Sequence, residues 1–425
     1  MSLENERPES FLGAMMAAEG VSDGYCIIHG PTGCKYYPAS VSENRYPVRR
    51  DRPETRNMFR FADRYFFSQP RLPCTYLDMG KFITGGKERL TDLYHKVESL
   101  SPSLITIINS PGASLIGDDI TSIHGNIPTI HIDHAEYSGT CAEGYQTSIL
   151  KILETVKPIK TEKKKGVNLV GISVLHKNWS DTVDELSDLL GLCGVTVNCT
   201  VGAGWSVKDI ENSASAELNV LVYPEYGDRI AEFYRNEYGI GFVGDTVPIG
   251  FDNIEKWISV VCKALGKDPS PAFAYIREAR KRAARAISLV ESYHMLPKGR
   301  TFSLFCDGST ASAVSEFLYS YLGMIPVAMT CPSGAKWKDE AMEKIRSRNI
   351  PCSDDALNTE ADIIITNGSI GSSCMTRKTV KGFVEIETPV TKYVCVCPEP
   401  PIGVTGTLTL IDRVLNIIAS RQRFI

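Results

Sequence analysis

The chain has 425 residues, of which 43% are hydrophobic, enough for several cores and for roughly two to four domains. A formal net charge of -4 with only short basic runs gives no drive toward nucleic acid or an anionic membrane surface. The sequence shows no charged-then-apolar leader and no apolar run near the roughly 20 residues that span a bilayer, so a cytoplasmic location is expected.

Thirteen cysteines, an odd number spread over a long chain, argue against a disulfide framework and for reduced thiols, some of them ligands. Plain burial accounts for most of the others, because unpaired cysteine is among the most buried residue types.

In chain order, a short helix over Glu9 to Ala18 leads into an apolar strand that ends in the glycine-flanked turn His29-Gly30-Pro31-Thr32-Gly33-Cys34. A polar, arginine-rich excursion follows from Ser42 to Arg64, and the rings of Phe59, Phe61, Tyr65, Phe66 and Phe67 pack it down. Cys74 comes next, with Gly85-Gly86 opening an amphipathic helix from Lys87 to Leu100. Ser103 to Asn109 reads as a buried parallel strand, followed by Pro111 and the run Ile116-Gly117-Asp118-Asp119. A strand at Pro128 to Ile132 ends in Asp133-His134, and a helix opens after Gly139-Thr140-Cys141 and runs to about Val156. Strand ends gathered at one edge of a parallel sheet bring their loops together, which is where open α/β sheets carry their sites.

Lys160, Lys163, Lys164 and Lys165 mark a solvated linker and the first boundary. Beyond it, strands at Val167 to Ile172, Val195 to Thr200 and Leu218 to Tyr223 alternate with helices at Trp179 to Leu192, Ser206 to Ser215 and Arg229 to Tyr238. A short strand at Gly241-Phe242 and a helix from Phe251 to Leu265 complete that unit, and the long Ala/Arg/Glu-rich helix Pro271 to Tyr293 reads as a connector. The pattern repeats from Arg300, with strands at Thr301 to Cys306, Pro326 to Met329, Ile363 to Asn367 and Tyr393 to Cys397, a helix at Ala311 to Leu322 and a closing helix at Gly406 to Ser420. The expected fold is therefore α/β, with three Rossmann-like doubly wound domains around a central cleft: 1–160, 161–270 and 300–425, joined by a helix at 271–299.

Several markers taken together resemble the nitrogenase component 1 superfamily, and the resemblance spans nearly the whole chain. They are His29 to Cys34, Cys74 with Gly85-Gly86, Ile116 to Asp119, Gly139-Thr140 with Gly144-Tyr145, Leu218-Asn219 with Pro224-Glu225-Tyr226, Pro248-Ile249-Gly250 and the ending Gly406 to Asn416. That superfamily includes both subunits of the molybdenum-iron protein, their cofactor-assembly relatives and the catalytic subunits of light-independent protochlorophyllide reductase. The resemblance implies an iron-sulfur cluster at the interface of two such subunits, with Cys34 and Cys74 as thiolate ligands, in accord with the preference of such clusters for soft donors. Relatives with a larger cluster place a cysteine just before the Ile-Gly-Asp-Asp run, where this chain has Pro111. Two thiolates per chain suit a 4Fe-4S cluster shared across a dimer, or an unequal share with a different partner chain. Cys141 lies where some relatives carry an accessory ligand and is a third candidate metal donor, with core packing as the alternative.

Cys306, Cys331 and Cys374 fall near strand-end loops of the third unit, and a second metallocofactor there stays open. One of Cys395 and Cys397 is expected to face a core, His29 to shape its loop and His134 to be a weak general-acid candidate. No cysteine and histidine pair matches the molybdenum-cofactor ligands. The chain lacks a Gly-x-x-x-x-Gly-Lys-Ser/Thr phosphate loop, so electrons are expected from a separate ATP-dependent iron-sulfur reductase. The resulting expectation is a nitrogenase-like oxidoreductase subunit that relays electrons through the cluster to a substrate in the interdomain cleft, working with a homologous component 1-like subunit. A metallocluster-assembly scaffold and a non-catalytic partner that supplies cluster ligands are the alternatives, and no catalytic residue is assigned.

Overall fold

The computed structural model describes residues 9–31, 33–34, 72–133, 139–162, 164–292, 296–388 and 397–420. Its first unit contains α1 (Ser10–Glu19), β1 (Gly24–His29), α2 (Met79–Thr84), α3 (Lys87–Glu98), β2 (Leu104–Asn109), α4 (Pro111–Ser114), β3 (Thr129–Ile132) and α5 (Cys141–Val156). The strands form one parallel sheet in the order β1-β2-β3. Every residue of β2 is buried, which is why its sequence is mainly apolar and does not alternate. The register pairs Gly24 with Leu104 and His29 with Asn109, so β1 and β2 end level and deliver their loops to one edge.

Helices α1 and α5 pack against each other through glycines. A Cβ on Gly13 would lie 2.0 Å from the Cys141 carbonyl oxygen, and one on Gly144 would lie 2.0 Å from that of Ser10. Thr140 starts α5 with a capping box, its hydroxyl accepting from the Glu143 amide while the Glu143 carboxylate accepts from the Thr140 amide.

The second unit contains β4 (Val167–Val170), α6 (Trp179–Gly191), β5 (Val197–Val201), α7 (Val207–Asn212), β6 (Leu218–Leu221), α8 (Pro224–Tyr238), β7 (Phe242–Val243) and α9 (Phe251–Leu265). After the long α10 (Ser270–Ser292), the third contains β8 (Thr301–Phe305), α11 (Gly308–Ser320), β9 (Ile325–Thr330), α12 (Ala335–Ser347), β10 (Ala361–Thr366), α13 (Gly368–Thr376), β11 (Val380–Glu385) and α14 (Gly403–Ser420). The two sheets, β5-β4-β6-β7 and β11-β10-β8-β9, are parallel throughout and wound alike. In each, the first strand sits between the second and the third, which is the doubly wound pattern with its crevice at the carboxyl ends of the first and third strands.

The structure departs from expectation in three places. Helix α8 begins at Pro224, a full turn before Arg229, because proline at the first helical position loses no hydrogen bond. The fourth strand of the third sheet is β11 at Val380–Glu385, while of the expected Tyr393 to Cys397 strand only an exposed Cys397 is among the described residues. Helices α2, α12 and α13 go beyond the sequence expectation; α2 and α13 are short, with 6 and 9 residues. The arginine-rich excursion and its rings, together with His134, Lys163 and Cys395, lie outside the described residues.

The closing helix α14 returns to the second unit. The Gly250 amide donates to the Thr407 hydroxyl at 2.9 Å and the Gly403 amide to the Pro248 carbonyl at 2.8 Å, so the Pro248-Ile249-Gly250 turn holds the start of that helix. Among the described residues no helix is long and apolar enough to cross a membrane.

Candidate metal-ligand site at the edge of the first sheet

Strand β1 ends at His29, and the chain turns through Gly30-Pro31 into the short helical turn that carries Cys34, whose amide donates to the Pro31 carbonyl at 3.1 Å. The segment around Cys74 runs parallel beside this end. Ile28 donates to the Pro73 carbonyl at 2.8 Å, Thr75 to that of Ile28 at 3.1 Å, and Leu77 to that of Gly30 at 3.0 Å. This short edge pairing fixes Cys74 to the loop that carries Cys34.

Gly30 lies beside both cysteines. The Cys74 Sγ is 3.3 Å from the Gly30 carbonyl oxygen and 3.9 Å from that of Pro31. A Cβ built on Gly30 would lie 3.7 Å from the Cys34 Cβ and only 2.3 Å from the Ser110 Oγ. Any larger residue at position 30 would push Ser110 away and separate these loops. Cys74 is buried and Cys34 half-buried, and the Tyr76 amide donates to the Cys74 Sγ at 3.5 Å. An N-H pointed at a cysteine sulfur favours its thiolate form and is one of the levers that tune a cluster's potential.

A brace behind the thiols explains the other sequence markers. His29 is fully buried, with Nδ1 3.1 Å from the Thr75 hydroxyl and Nε2 3.0 Å from the Asp118 carboxylate. Asp118 can only accept when ionised, so the network assigns the ring proton to Nε2 and makes Nδ1 the acceptor from Thr75. Burial lowers the histidine below its ordinary range despite the Asp118 carboxylate, so the ring is neutral near pH 7. The same Asp118 oxygen accepts from the Gly86 amide at 2.7 Å. A Cβ on Gly86 would meet Leu77 at 2.4 Å and the His29 ring at 2.9 Å. The Gly-Gly pair and the Ile-Gly-Asp-Asp run thus lock His29, and His29 shapes the loop as expected. Pro111 occupies the first position of α4, where Ser110 accepts from the Ala113 amide as the cap.

Cys141 has a different setting. It is buried at the start of α5, where burial and then the nearby Asp307 push its thiol up, with the Tyr226 hydroxyl opposing and Glu387 adding to the rise. Its charged and polar neighbours belong to the second and third units. Around it lies a group that sequence reading passed over as functional: Glu225, Asp307 and Glu387, each about 5–6% exposed. Its only sequence signal is acidic residues directly after apolar strands, at Pro224-Glu225 and Cys306-Asp307.

Among the described residues, no group of three or more His, Cys, Asp or Glu side chains is placed to hold a metal ion, and the twelve described cysteines form no disulfide. Two thiols on adjoining loops are soft donors of the kind an iron-sulfur cluster takes, and Cys34 and Cys74 would be the residues to hold one here. Next to them the surface is apolar: Met79 and Ile83 on α2 are 80% and 85% exposed, and Leu115 after α4 is 89% exposed. Phe82, half-buried, lies 4.0 Å from a Cβ built on Gly112, which joins α2 to α4 at this rim.

The profile of the nitrogenase component 1 type oxidoreductase family matches residues 10–419, and the chain belongs to that family. It is 26% identical over 331 residues to a light-independent protochlorophyllide reductase subunit from Roseobacter denitrificans, an alignment that covers 75% of this chain and 58% of that protein. It is 21% identical over 460 residues to the nitrogenase molybdenum-iron protein beta chain of Methanococcus maripaludis, covering 96% and 93% of the two chains. The chain thus spans under two thirds of the protochlorophyllide reductase relative and nearly the full nitrogenase chain. Among solved structures, nitrogenase Cp1 at pH 6.5 superposes with a TM-score of 0.78 at 17% identity, covering 99% of this chain and 94% of that one, which establishes the shared fold.

Proposed function

We propose that this chain is a nitrogenase-like oxidoreductase subunit in which Cys34 and Cys74 hold an iron-sulfur cluster at the interface with a component 1-like partner. The observation that carries the reading is the seating of both thiols around Gly30, with the Tyr76 amide on Cys74 and an exposed apolar rim beside them. Such a cluster supplies one-electron transfer, with electrons received from a separate ATP-dependent iron-sulfur reductase. The chain's own residues orient the ligands through the His29 brace and exclude water behind them. A substrate is assigned to the open groove of about 600 Å³ where α5, α8, β7 and the start of α12 meet. Phe233, Phe242 and Trp337 form apolar walls there, and Arg229 and Lys336 stand among the carboxylates of Glu154, Asp228, Glu232 and Asp245.

The closed junction between the units, with room for about one water, favours a second reading. In it this chain supplies cluster ligands and the partner carries the substrate site. Anaerobic purification with iron and sulfide analysis and EPR tests the cluster. The expected result is iron and acid-labile sulfide in the wild type, lost in both Cys34→Ala and Cys74→Ala. Iron content unchanged in both variants overturns the assignment. Turnover with reductase and ATP that falls on Trp337→Ala supports the groove, whereas turnover that needs the partner's cleft alone supports the second reading.

A further inference from the structure

The junction of the three units holds a second assembly, independent of the thiol pair. It lies where the switch points of the second and third sheets face each other, among residues that follow β4, β6, β8, β9 and β11. Glu225, at the start of α8, accepts from the Ser309 amide at 3.0 Å and, in a very short bond, from the Ser309 hydroxyl. Asp307 accepts from the Tyr226 hydroxyl at 2.9 Å and the Ser333 amide at 3.1 Å. Glu387 accepts from the Asp307 amide at 2.8 Å and from the Thr388 amide and hydroxyl, both at 2.9 Å. The bonds of Glu225 and Tyr226 to residues 307 and 309 join the second unit to the third.

Among the described residues, every donor to these three carboxylates is neutral. The buried cation nearby, Lys177, is committed to the Glu385 carbonyl at 3.1 Å and to the Glu399 carboxylate, which Arg413 also meets. His176 is stacked on Tyr223 with centroids 3.9 Å apart, and its Nδ1 accepts from the Ser173 amide. The remaining titratable neighbours are Cys141 on α5, Tyr223 and Tyr226 at the start of α8, and Cys306 and Cys331 after β8 and β9. None of them supplies a positive charge near pH 7. The free space beside His176, Asp307 and Glu387 is about 10 Å³, enough for one water at most. Asp307 stands close enough to Glu225 and to Glu387 to oppose the ionisation of each, and with burial this favours keeping a proton within the group.

We propose that the seam between the second and third units is a proton-operated latch, closed while the Glu225, Asp307 and Glu387 cluster retains a proton and parted when the cluster ionises fully. Parting would turn the one-water space into a solvent-open cleft lined by His176, Tyr223 and the three carboxylates. The direction of titration agrees. Burial, then Asp307, pushes Glu225 up to about 7; burial, then Asp307, raises Glu387 well above the carboxylate range; and burial raises Asp307 itself. A carboxyl group with a raised folded pKa binds more protons folded than unfolded. The stability it adds is therefore full at acid pH and is lost as pH rises from about 4.5 through 7.

Hydrogen exchange of the intact chain at pH 6.0 and 8.5, corrected for intrinsic rates, tests the latch. Amides of 225–230 and 308–313 are expected to lose protection on the order of tenfold at the higher pH, the size of one pKa unit of linkage, while β2 amides do not. Glu387→Gln, which cannot ionise, is expected to keep its protection at pH 8.5. Should that variant not fold, Tyr226→Phe serves. Losing a donor to ionised Asp307 favours the protonated form, so the opening midpoint is expected to move to higher pH. Equal protection at both pH values in the wild type, or an unmoved pH profile in both variants, overturns the proposal.

Discussion

Gly30 is the position at which one side chain too many would undo the site. With Ser110 Oγ where its Cβ would be, and the two cysteines beside it, it sets how closely the β1 and β2 loops approach. The surroundings of the thiols set Cys34 and Cys74 apart from Cys141, the third candidate metal donor. Cys34 and Cys74 share the Gly30 loop, whereas Cys141 faces Tyr226 and Asp307. Cys141→Ala is accordingly expected to retain the iron and sulfide of the wild type while Cys34→Ala and Cys74→Ala lose them, as read by anaerobic metal analysis. The brace makes a separate prediction. His29→Ala removes one hydrogen bond from each of Thr75 and Asp118, which keep those to Gly30 and Gly86, and each lost bond costs about 0.5–1.5 kcal/mol. Chemical denaturation should show a loss of that order; a loss below about 0.5 kcal/mol would mean the brace relaxes onto water.

At the scale of elements, the contact between α1 and α5 decides how the first unit is built. Replacing a helical glycine by alanine ordinarily stabilises by about 0.5–1 kcal/mol, because alanine loses less backbone freedom on folding. At Gly144 the added Cβ would sit 2.0 Å from the Ser10 carbonyl oxygen, so overpacking, worth about 1–3 kcal/mol, wins. Gly144→Ala is expected to destabilise, and a rise in Tm would show that the helices are free to move apart. Thr140→Ala removes the hydroxyl half of the capping box and should cost about 1 kcal/mol in the same assay, with iron content unaffected.

At the scale of the whole molecule, Met79, Ile83 and Leu115 form an exposed apolar rim in the unit that carries the two proposed cluster ligands, Cys34 and Cys74. A second chain seated on this rim would cover the apolar side chains and supply the cluster's other ligands together. Ile83→Asp with Leu115→Asp is therefore expected to lower the assembly mass by light scattering and the iron content in parallel, with far-UV circular dichroism unchanged. Iron retained by a monomer would break the link between interface and cluster.

Much of the architecture could be read from the chain alone, because strands buried on both faces, such as Leu104–Asn109, must be written mainly with apolar residues and without alternation, and the order of strand and helix then leaves few parallel topologies. The cysteine-bearing turns were visible for the same local reason, since glycine and proline mark where a strand stops. What stayed hidden depended on residues far apart in sequence. Nothing local in the sequence joins Glu225, of one family marker, to Asp307 and Glu387 until the fold encloses them together, and Cys141 is assigned its neighbours only by the packing of α5 against the other two units. Local pattern records which face of an element avoids water; the cost of burying a charge, and so the chemistry at that junction, is set by whatever the tertiary structure brings alongside.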